Sequence, residues 1–580
     1  MKLSCLSLLF AFAPVAKAQN PNLIRINQVG YYPNAPKVAV VEQRGFAKKY
    51  TLRDAKTNKT VWQGKAVEQT VSPWSGKRRA TIDFSTVTTA GEYILSNGKQ
   101  QQKIVIRDGA LHDLAVGSMK AFYLQRCSEP ILEEYAGKYA RPAGHMDNEV
   151  LVHPSAEHIV DAAFLEDYSR SAGTKISSPG GWYDAGDFNK YIVNSSFSIG
   201  LMLCAYEANP EYFNNLGLNI PESKNSLPDY LDEIAVNLRW MLTMQDFDGG
   251  VYHKLTTPSF EGFVMPKDCH QTRYVVMKST AATLDFAATM AKASRIYRKF
   301  KGLERFADEM LSKAVMAYTW AKANPEVLYK QDEMNAKYDP DVSTSTYGDF
   351  KVIDEFKWAT TELALAGIQD LIPQFANEVY KQDFYLPTWG DVENLARYAR
   401  LGDCSKANIA DAAPLIRYAD QCIESAEHSS FASAFGNVAS DFCWGCNAEC
   451  AAGKGIALLY AYRLTNDKKY LNAAIGVADY MLGRNATGYC YVTGFGNYSP
   501  KHPHQRLSAA DGIDEPLPGF LVGGPNPGQQ DRDYCKSYTS SYPDESYADD
   551  DTSYASNEIA INWNASLAAF ICWLEAEMAK

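Results

Sequence analysis

The chain has 580 residues, 46% hydrophobic and 22% charged, the composition of a folded protein too long for one compact core. Its formal charge of −11 excludes a nucleic-acid partner and an anionic membrane surface, both of which need a basic face. A neutral ligand fits better, and an aromatic content of 12%, with 36 Tyr and 10 Trp, suits a sugar, although most such rings fill cores.

Residues 1–18 read as an export signal: Lys2 supplies the positive charge, Leu3 to Val15 a short apolar run, and Ala16-Lys17-Ala18 the small-x-small site before Gln19. The run is too short to span a bilayer and no later stretch has the length, so the chain is expected to be exported, periplasmic or secreted, with no transmembrane segment. Residues 19–107 carry short strand-like runs, among them Lys37 to Val41, Tyr50 to Leu52, Ala80 to Phe84, Gly91 to Leu95 and Lys103 to Ile106, separated by turn residues. That spacing predicts an immunoglobulin-like β-sandwich with a bracing role, since no acid, base or nucleophile cluster stands out in it.

From 108 to 580 the periodicity turns helical, with helices expected near 110–125, 157–170, 190–208, 228–245, 277–299, 302–323, 355–370, 408–425, 447–465, 468–483 and 557–578. In the last of these, Ile559, Trp563, Leu567, Phe570 and Leu574 form one apolar stripe. Many helices, almost no strands and no repeating period predict a mostly α domain built as a closed ring of helix pairs. The stretch 485–556 is dense in Gly, Pro, Asp and Tyr, and is read as the wall of a site. Of 12 cysteines, Cys443, Cys446 and Cys450 cluster just before a helical pattern; buried or partly paired thiols suit them better than a metal.

Two segments carry chemistry. In Gly180-Gly181-Trp182-Tyr183-Asp184-Ala185-Gly186-Asp187, two carboxylates three apart sit in a glycine-containing turn, where they can point the same way and raise one another's pKa. The alternative is a helix cap or a calcium loop, and the turn offers few oxygens for the latter. Near the C-terminus, Glu558 follows Asp549 to Asp551 and stands where the last helix should begin. A helix dipole there depresses its pKa, whereas a general acid needs it raised, and spacing leaves both outcomes open. His504 and Arg506, in Lys501-His502-Pro503-His504-Gln505-Arg506, are candidates for holding sugar hydroxyls.

In this order these elements resemble glycoside hydrolase family 9, along nearly the whole chain. Ile26-Asn27-Gln28-Val29-Gly30-Tyr31 is similar to the opening of the family's immunoglobulin-like module, and Asp184-Ala185-Gly186-Asp187 to its base motif. Tyr347-Gly348-Asp349, Asp354 to Trp358, Trp444-Gly445-Cys446-Asn447, Leu482 to Asn485, Val492 to Gly496 and the tail from Tyr547 to Ala565 follow as in the family. The resemblance implies an (α/α)6 barrel and an inverting, endo-acting hydrolysis of β-1,4 bonds in soluble β-glucans, cellulose-type, xyloglucan or mixed-linkage. Asp187 is then the base, Asp184 its helper in positioning water, and Glu558 the acid. Asp549, Tyr554, His504 and Arg506 line the adjoining subsite, and Trp182, Tyr183, Trp358 and Trp444 are wall residues. A structural calcium is implied, with Asp354 and Glu355 as ligands. The family's zinc pair reads Gly144-His145 beside Cys127, which removes a thiolate and puts zinc in doubt. Pro503-His504-Gln505-Arg506 replaces a Pro-His-His-Arg pattern but keeps its first His and its Arg. The competing readings are an exo-acting enzyme, with residues 130–155 as the loop that closes one end, and a non-catalytic glycan-binding protein of an uptake system.

Overall fold

Short alternating strands need a second sheet to cover their apolar face, and residues 24–106 supply both layers. The computed structural model describes residues 21–160, 168–368 and 383–580, so the expected export signal lies outside the described residues. One sheet orders Ile24–Arg25, Val38–Glu42, Arg79–Asp83 and Val67–Glu68; the other orders Thr60–Gly64, Tyr50–Asp54, Gly91–Ser96 and Gln101–Ile106. The pairings are antiparallel, with Val40 opposite Thr81 and Leu52 opposite Leu95. Val41, Leu52, Ile82, Leu95 and Ile104 fill the space between the layers.

The sandwich is fastened to the helical domain at several places, among them Tyr32 on Glu575, Arg79 on Asp544 and Ser430, and the turn at Asn27–Gln28. Gln28 N–H donates to the Leu482 carbonyl (3.0 Å), Asn27 Nδ2 to Asp479 (2.8 Å), and Arg484 reaches back to the Val38 carbonyl (3.3 Å). The segment it grips leads into the long irregular stretch after residue 485, so the module braces that wall from behind.

Helices Ile192–Ala208, Thr280–Tyr297 and Ile561–Met578 are buried on nearly every side, whereas Glu304–Ala323 and Ile409–Glu427 bury one face and Lys468–Met481 is exposed only near its start. Small residues allow this crowding: a Cβ on Gly200 would lie 2.5 Å from the Trp358 ring. Inner and outer helices alternate, giving the expected (α/α)6 barrel. Among the described residues no helix is long and apolar enough to cross a membrane.

Several expectations are corrected. The last helix starts at Ile561 rather than 557 and is buried all round, so the stripe through Trp563 and Leu567 is one side of a central helix. The described ends of 157–170 carry a β-bridge between His158 and Arg170, not a helix. Helix Glu393–Leu401, unforeseen, is strongly amphipathic but short. The expected helix 447–465 opens with a π-turn, Asn447–Ala452, before α-helix Gly453–Thr465. The barrel domain also holds a five-stranded sheet of short strands, ordered Lys175–Ile176, Val150–Val152, Tyr274–Val275, Lys254–Thr256 and Lys190–Tyr191. Its last strand follows directly on the Asp184–Asn189 turn and holds that turn in place.

Candidate active site

Glycine decides the shape of the turn. Gly180 and Gly181 have φ of +82° and +78°, where an L side chain is strained, and a Cβ on Gly186 would lie 2.1 Å from the His504 carbonyl oxygen. Gly186 thus lets the 504–506 strand lie against the turn, and its N–H donates to Glu558 Oε1 (3.3 Å). Bridges Ala185 to Ala560 and His504 to Glu558 complete the join. The structure therefore brings Asp184, Asp187 and Glu558 together from two ends of the chain.

Each carboxylate is held differently. Asp184 accepts from Asn194 Nδ2 on Oδ1 (2.7 Å) and from the Tyr347 hydroxyl on Oδ2 (2.7 Å), so both oxygens are engaged. Burial, and then the charge of Asp187, push it up to about 8. Asp187 accepts on Oδ2 from Asn189 N–H (3.1 Å) and Nδ2 (2.6 Å), with the Tyr191 hydroxyl at 3.4 Å. Glu558 does not sit in a helix: it lies in an extended segment before the Ala560 cap, which frees it from the dipole. Burial first, and Asp187 next, raise it well above the usual carboxylate range, while Arg506 pulls the other way. Asp184 adds to the shift, and the Asp549 to Asp551 run that precedes Glu558 in sequence has no part in it.

Around the acids runs a chain of rings. Trp444 lies 5.5 Å from Tyr554, Tyr554 6.1 Å from His504, and His504 5.5 Å from Phe263. Trp444 and Phe263 are 39% and 43% exposed, the exposed apolar faces a ligand groove needs. His504 donates from Nδ1 to the Asp551 carbonyl (2.6 Å), and burial lowers it to about 4, so its neutral ring presents Nε2 as an acceptor. Tyr554 donates its hydroxyl to the Gln530 carbonyl (3.0 Å).

Other expected lining residues are elsewhere. Trp182, Tyr183 and Trp358 are 0% exposed: Trp182 Nε1 donates to Glu233 (2.8 Å), Tyr183 pairs with His145, and Trp358 packs on Gly200. They are core, not wall, because the glycines beside them draw the backbone inward. Arg506 spends its guanidinium on the Gly186 and Glu261 carbonyls (2.9 and 2.7 Å) and Asp549 takes the backbone N–H of Lys501 and His502 (2.9 and 2.8 Å). Both position loops, and Arg506 also lies over Phe263 and near Glu558. Tyr347, Asn189, Asn194 and Phe263 had no role assigned from sequence; only the Asn two residues after Asp187 offered a local signal.

A second acidic group lies on the same side of the barrel. Ligand oxygens of Asp349, Asp354 and Glu355 lie within 4.8 Å of one another. Asp354 Oδ2 accepts from Val392 N–H (3.0 Å), but its Oδ1, Glu355 Oε2 and both oxygens of nearby Asp285 are buried with no protein donor. Burial, then Asp391, pushes Asp354 up to about 6; burial raises Glu355 and Asp285 well above their usual range. Anionic oxygens left without donors are what a hard cation takes. The expected pair Asp354 and Glu355 is joined in this group by Asp349, with Asp285 nearby. At the zinc position, a Cβ on Gly144 would lie 2.4 Å from the Pro266 carbonyl carbon, leaving no room for a thiolate. His145 stands instead with Glu261 and Cys269, in a third group with ligand atoms within 4.8 Å.

Comparison with known proteins identifies the family and the fold. A profile described as glycosyl hydrolase family 9 matches residues 112–571, and one described as a cellulase N-terminal ig-like domain matches 19–102. A xyloglucan-specific endo-β-1,4-glucanase of Bacteroides ovatus is 49% identical over 95% of this chain and 94% of its own length. Endoglucanase D of Acetivibrio thermocellus is 31% identical, covering 94% and 82%. A solved Bacteroides ovatus structure superposes with a TM-score of 0.89 at 48% identity, over 96% of this chain and 99% of that one.

Proposed function

The chain belongs to glycosyl hydrolase family 9, and on that premise we propose that it is an inverting endo-β-1,4-glucanase acting on soluble β-glucan, xyloglucan foremost. The observation that carries the reading is the contrast within the triad: a proton-holding Glu558 joined through Gly186 to a paired Asp184 and Asp187. Glu558 gives its proton to the leaving glycosidic oxygen. Asp187, whose accepted hydrogen bonds fall on Oδ2, uses Oδ1 to take a proton from the attacking water. Asp184, with both oxygens engaged, orients that water and does not compete for the charge. Inversion needs acid and base roughly 6.5–9.5 Å apart, with the water between sugar and base.

Xyloglucan is favoured because the Bacteroides ovatus relative, half identical along the chain, is specific for it. The ring chain from Trp444 to Phe263 supplies apolar faces for successive pyranoses. Calcium is the cation we assign to Asp349, Asp354 and Glu355, with the unpartnered carboxylate of Asp285 nearby, since hard carboxylate oxygens suit it. It would hold the loop that carries Tyr347, and so act on Asp184 at one remove. The substrate lies outside the cytoplasm, in keeping with the leader at residues 1–18, and the sandwich spans 19–107 with the barrel from 108. The test is a panel of xyloglucan, mixed-linkage glucan and carboxymethyl cellulose with products sized over time. A ladder of long products from xyloglucan supports the proposal. A single small product from the first minutes sinks endo action, and no turnover of any glucan leaves a binding protein.

A further inference from the structure

The Cys443, Cys446 and Cys450 cluster is not used by the hydrolytic machinery, yet it brackets Trp444, the ring at one end of the Trp444, Tyr554, His504 and Phe263 chain. Cys446 is fully buried, its Sγ against the Pro525 carbonyl (3.2 Å). Cys443 and Cys450 are partly exposed and their sulfurs face one another at 3.9 Å. Two features of the backbone bring them together. Gly445 has φ of +79° and is pressed on Trp563, where a Cβ would lie 2.5 Å from the indole nitrogen, so the chain folds back there. The π-turn Asn447–Ala452 then widens the helix start and carries Cys450 under Cys443.

We propose that Cys443 and Cys450 are a modification site, closing to an intramolecular disulfide in an oxidising medium and fixing the turn that presents Trp444 to the glucan. Sulfur atoms in a disulfide are about 2.0 Å apart, so rotations of the two side chains have under two ångströms to close. The hydrogen bond from Cys450 lowers the Cys443 thiol below its usual range, which makes Cys443 the nucleophile, whereas burial pushes Cys204 and Cys490 up to about 12. With glutathione disulfide as oxidant, the Cys443 thiolate attacks one glutathione sulfur and expels the other glutathione as thiolate. Cys450, deprotonated, then attacks the Cys443 sulfur of the mixed disulfide and expels the second glutathione. Two protein thiols are oxidised, one glutathione disulfide is reduced to two thiols, and the two protons end on them.

The full-length protein is incubated with reduced or with oxidised glutathione, quenched in acid, denatured, alkylated and mapped by peptide mass. After oxidised glutathione the peptide bearing Cys443 and Cys450 is expected to be lighter by two hydrogens and free of alkyl groups at both positions. C450S should stop at a glutathione adduct on Cys443, and its melting curve shows that it folds. Full alkylation of both cysteines in the oxidised wild type, a persistent adduct with Cys450 still alkylated, or a cross-link to Cys446 overturns the proposal. Cross-linking is expected to lower KM for soluble glucan by about two- to tenfold, the range of one aromatic contact. Dithiothreitol should restore the original KM, and C450S should show no change. An unchanged KM in fully cross-linked protein overturns the coupling to the cleft.

Discussion

Two groups of buried carboxylates stand in one barrel and have opposite needs. At Asp184, Asp187 and Glu558 the engaged oxygens have protein donors: Asn194 and Tyr347, Asn189 and Tyr191, and the Gly186 amide. At Asp285, Asp354 and Glu355 the carboxylates are as buried, but both oxygens of Asp285, Oδ1 of Asp354 and Oε2 of Glu355 have no protein donor. Both groups raise carboxyl pKa values by burial, so a raised pKa by itself does not mark catalysis. What separates them is the company of N–H and O–H groups. On the proposed reading, the first stores and moves a proton and the second receives a cation.

The sharpest way to break the comparison is to disable each group in turn. Glu558→Gln and Asp187→Asn should each lower kcat on soluble glucan by about 10²–10⁴-fold with the melting temperature nearly unchanged, read by reducing-sugar release and calorimetry. A wild-type rate in either variant would falsify the assignment of acid and base. Chelation should do the reverse, lowering the melting temperature first and activity second; at a hundredfold excess of metal over Kd the lost stability is about 2.7 kcal/mol. The pH dependence has a definite sign. Asp354, raised from 3.8 to about 6 in the chelated fold, binds its proton more tightly folded than unfolded, so that stability is present at acid pH. It should drain away as pH rises from about 4 through 6, and added calcium should abolish the slope; a flat chelated profile refutes it.

A smaller change tests the donors themselves. Tyr347→Phe removes one hydrogen bond to buried Asp184, and leaving a buried acceptor without its donor costs about 1–3 kcal/mol, so kcat should fall roughly 5- to 100-fold with little change in KM. Glu558 must be protonated to act, so kcat/KM should decline as pH rises through its raised value, above the ordinary carboxylate range. The smallest effect belongs to the rim: Trp444→Ala should raise KM by about two- to tenfold and leave kcat alone, measured on xyloglucan and on unbranched glucan.

The acids were legible because they sit in motifs whose order spans the chain, and the strands and long helices because their periodicity is local. The wall residues were not. Trp182 and Trp358 look like sugar platforms in sequence, but whether an indole faces solvent depends on Gly181 and Gly200, which let it sink into the core. A helix start at 557 would set Glu558 against the helix dipole, but nothing in the local pattern shows that the helix begins four residues later, at Ile561. Asp285 passed unnoticed although a lone acid in the apolar run Ala281-Ala282-Thr283-Leu284-Asp285-Phe286 is a signal of its own: a buried charge without a reason nearby has one across the fold. Tyr347 acts across 163 residues of sequence, and nothing local announces it.

The fastening of the sandwich has a consequence for anyone who would recombine these parts. Asn27 and Gln28 end on Asp479 and Leu482, and Arg484 returns to Val38, so the contact is written into both partners. A barrel expressed without residues 19–107 would leave the Asp479 carboxylate, already pushed up to about 6 by burial, without its amide donor at the root of the cleft wall. A foreign β-module would need the same Asn-Gln pair at its first turn. The two domains are separate folds in architecture and a single heritable unit in practice.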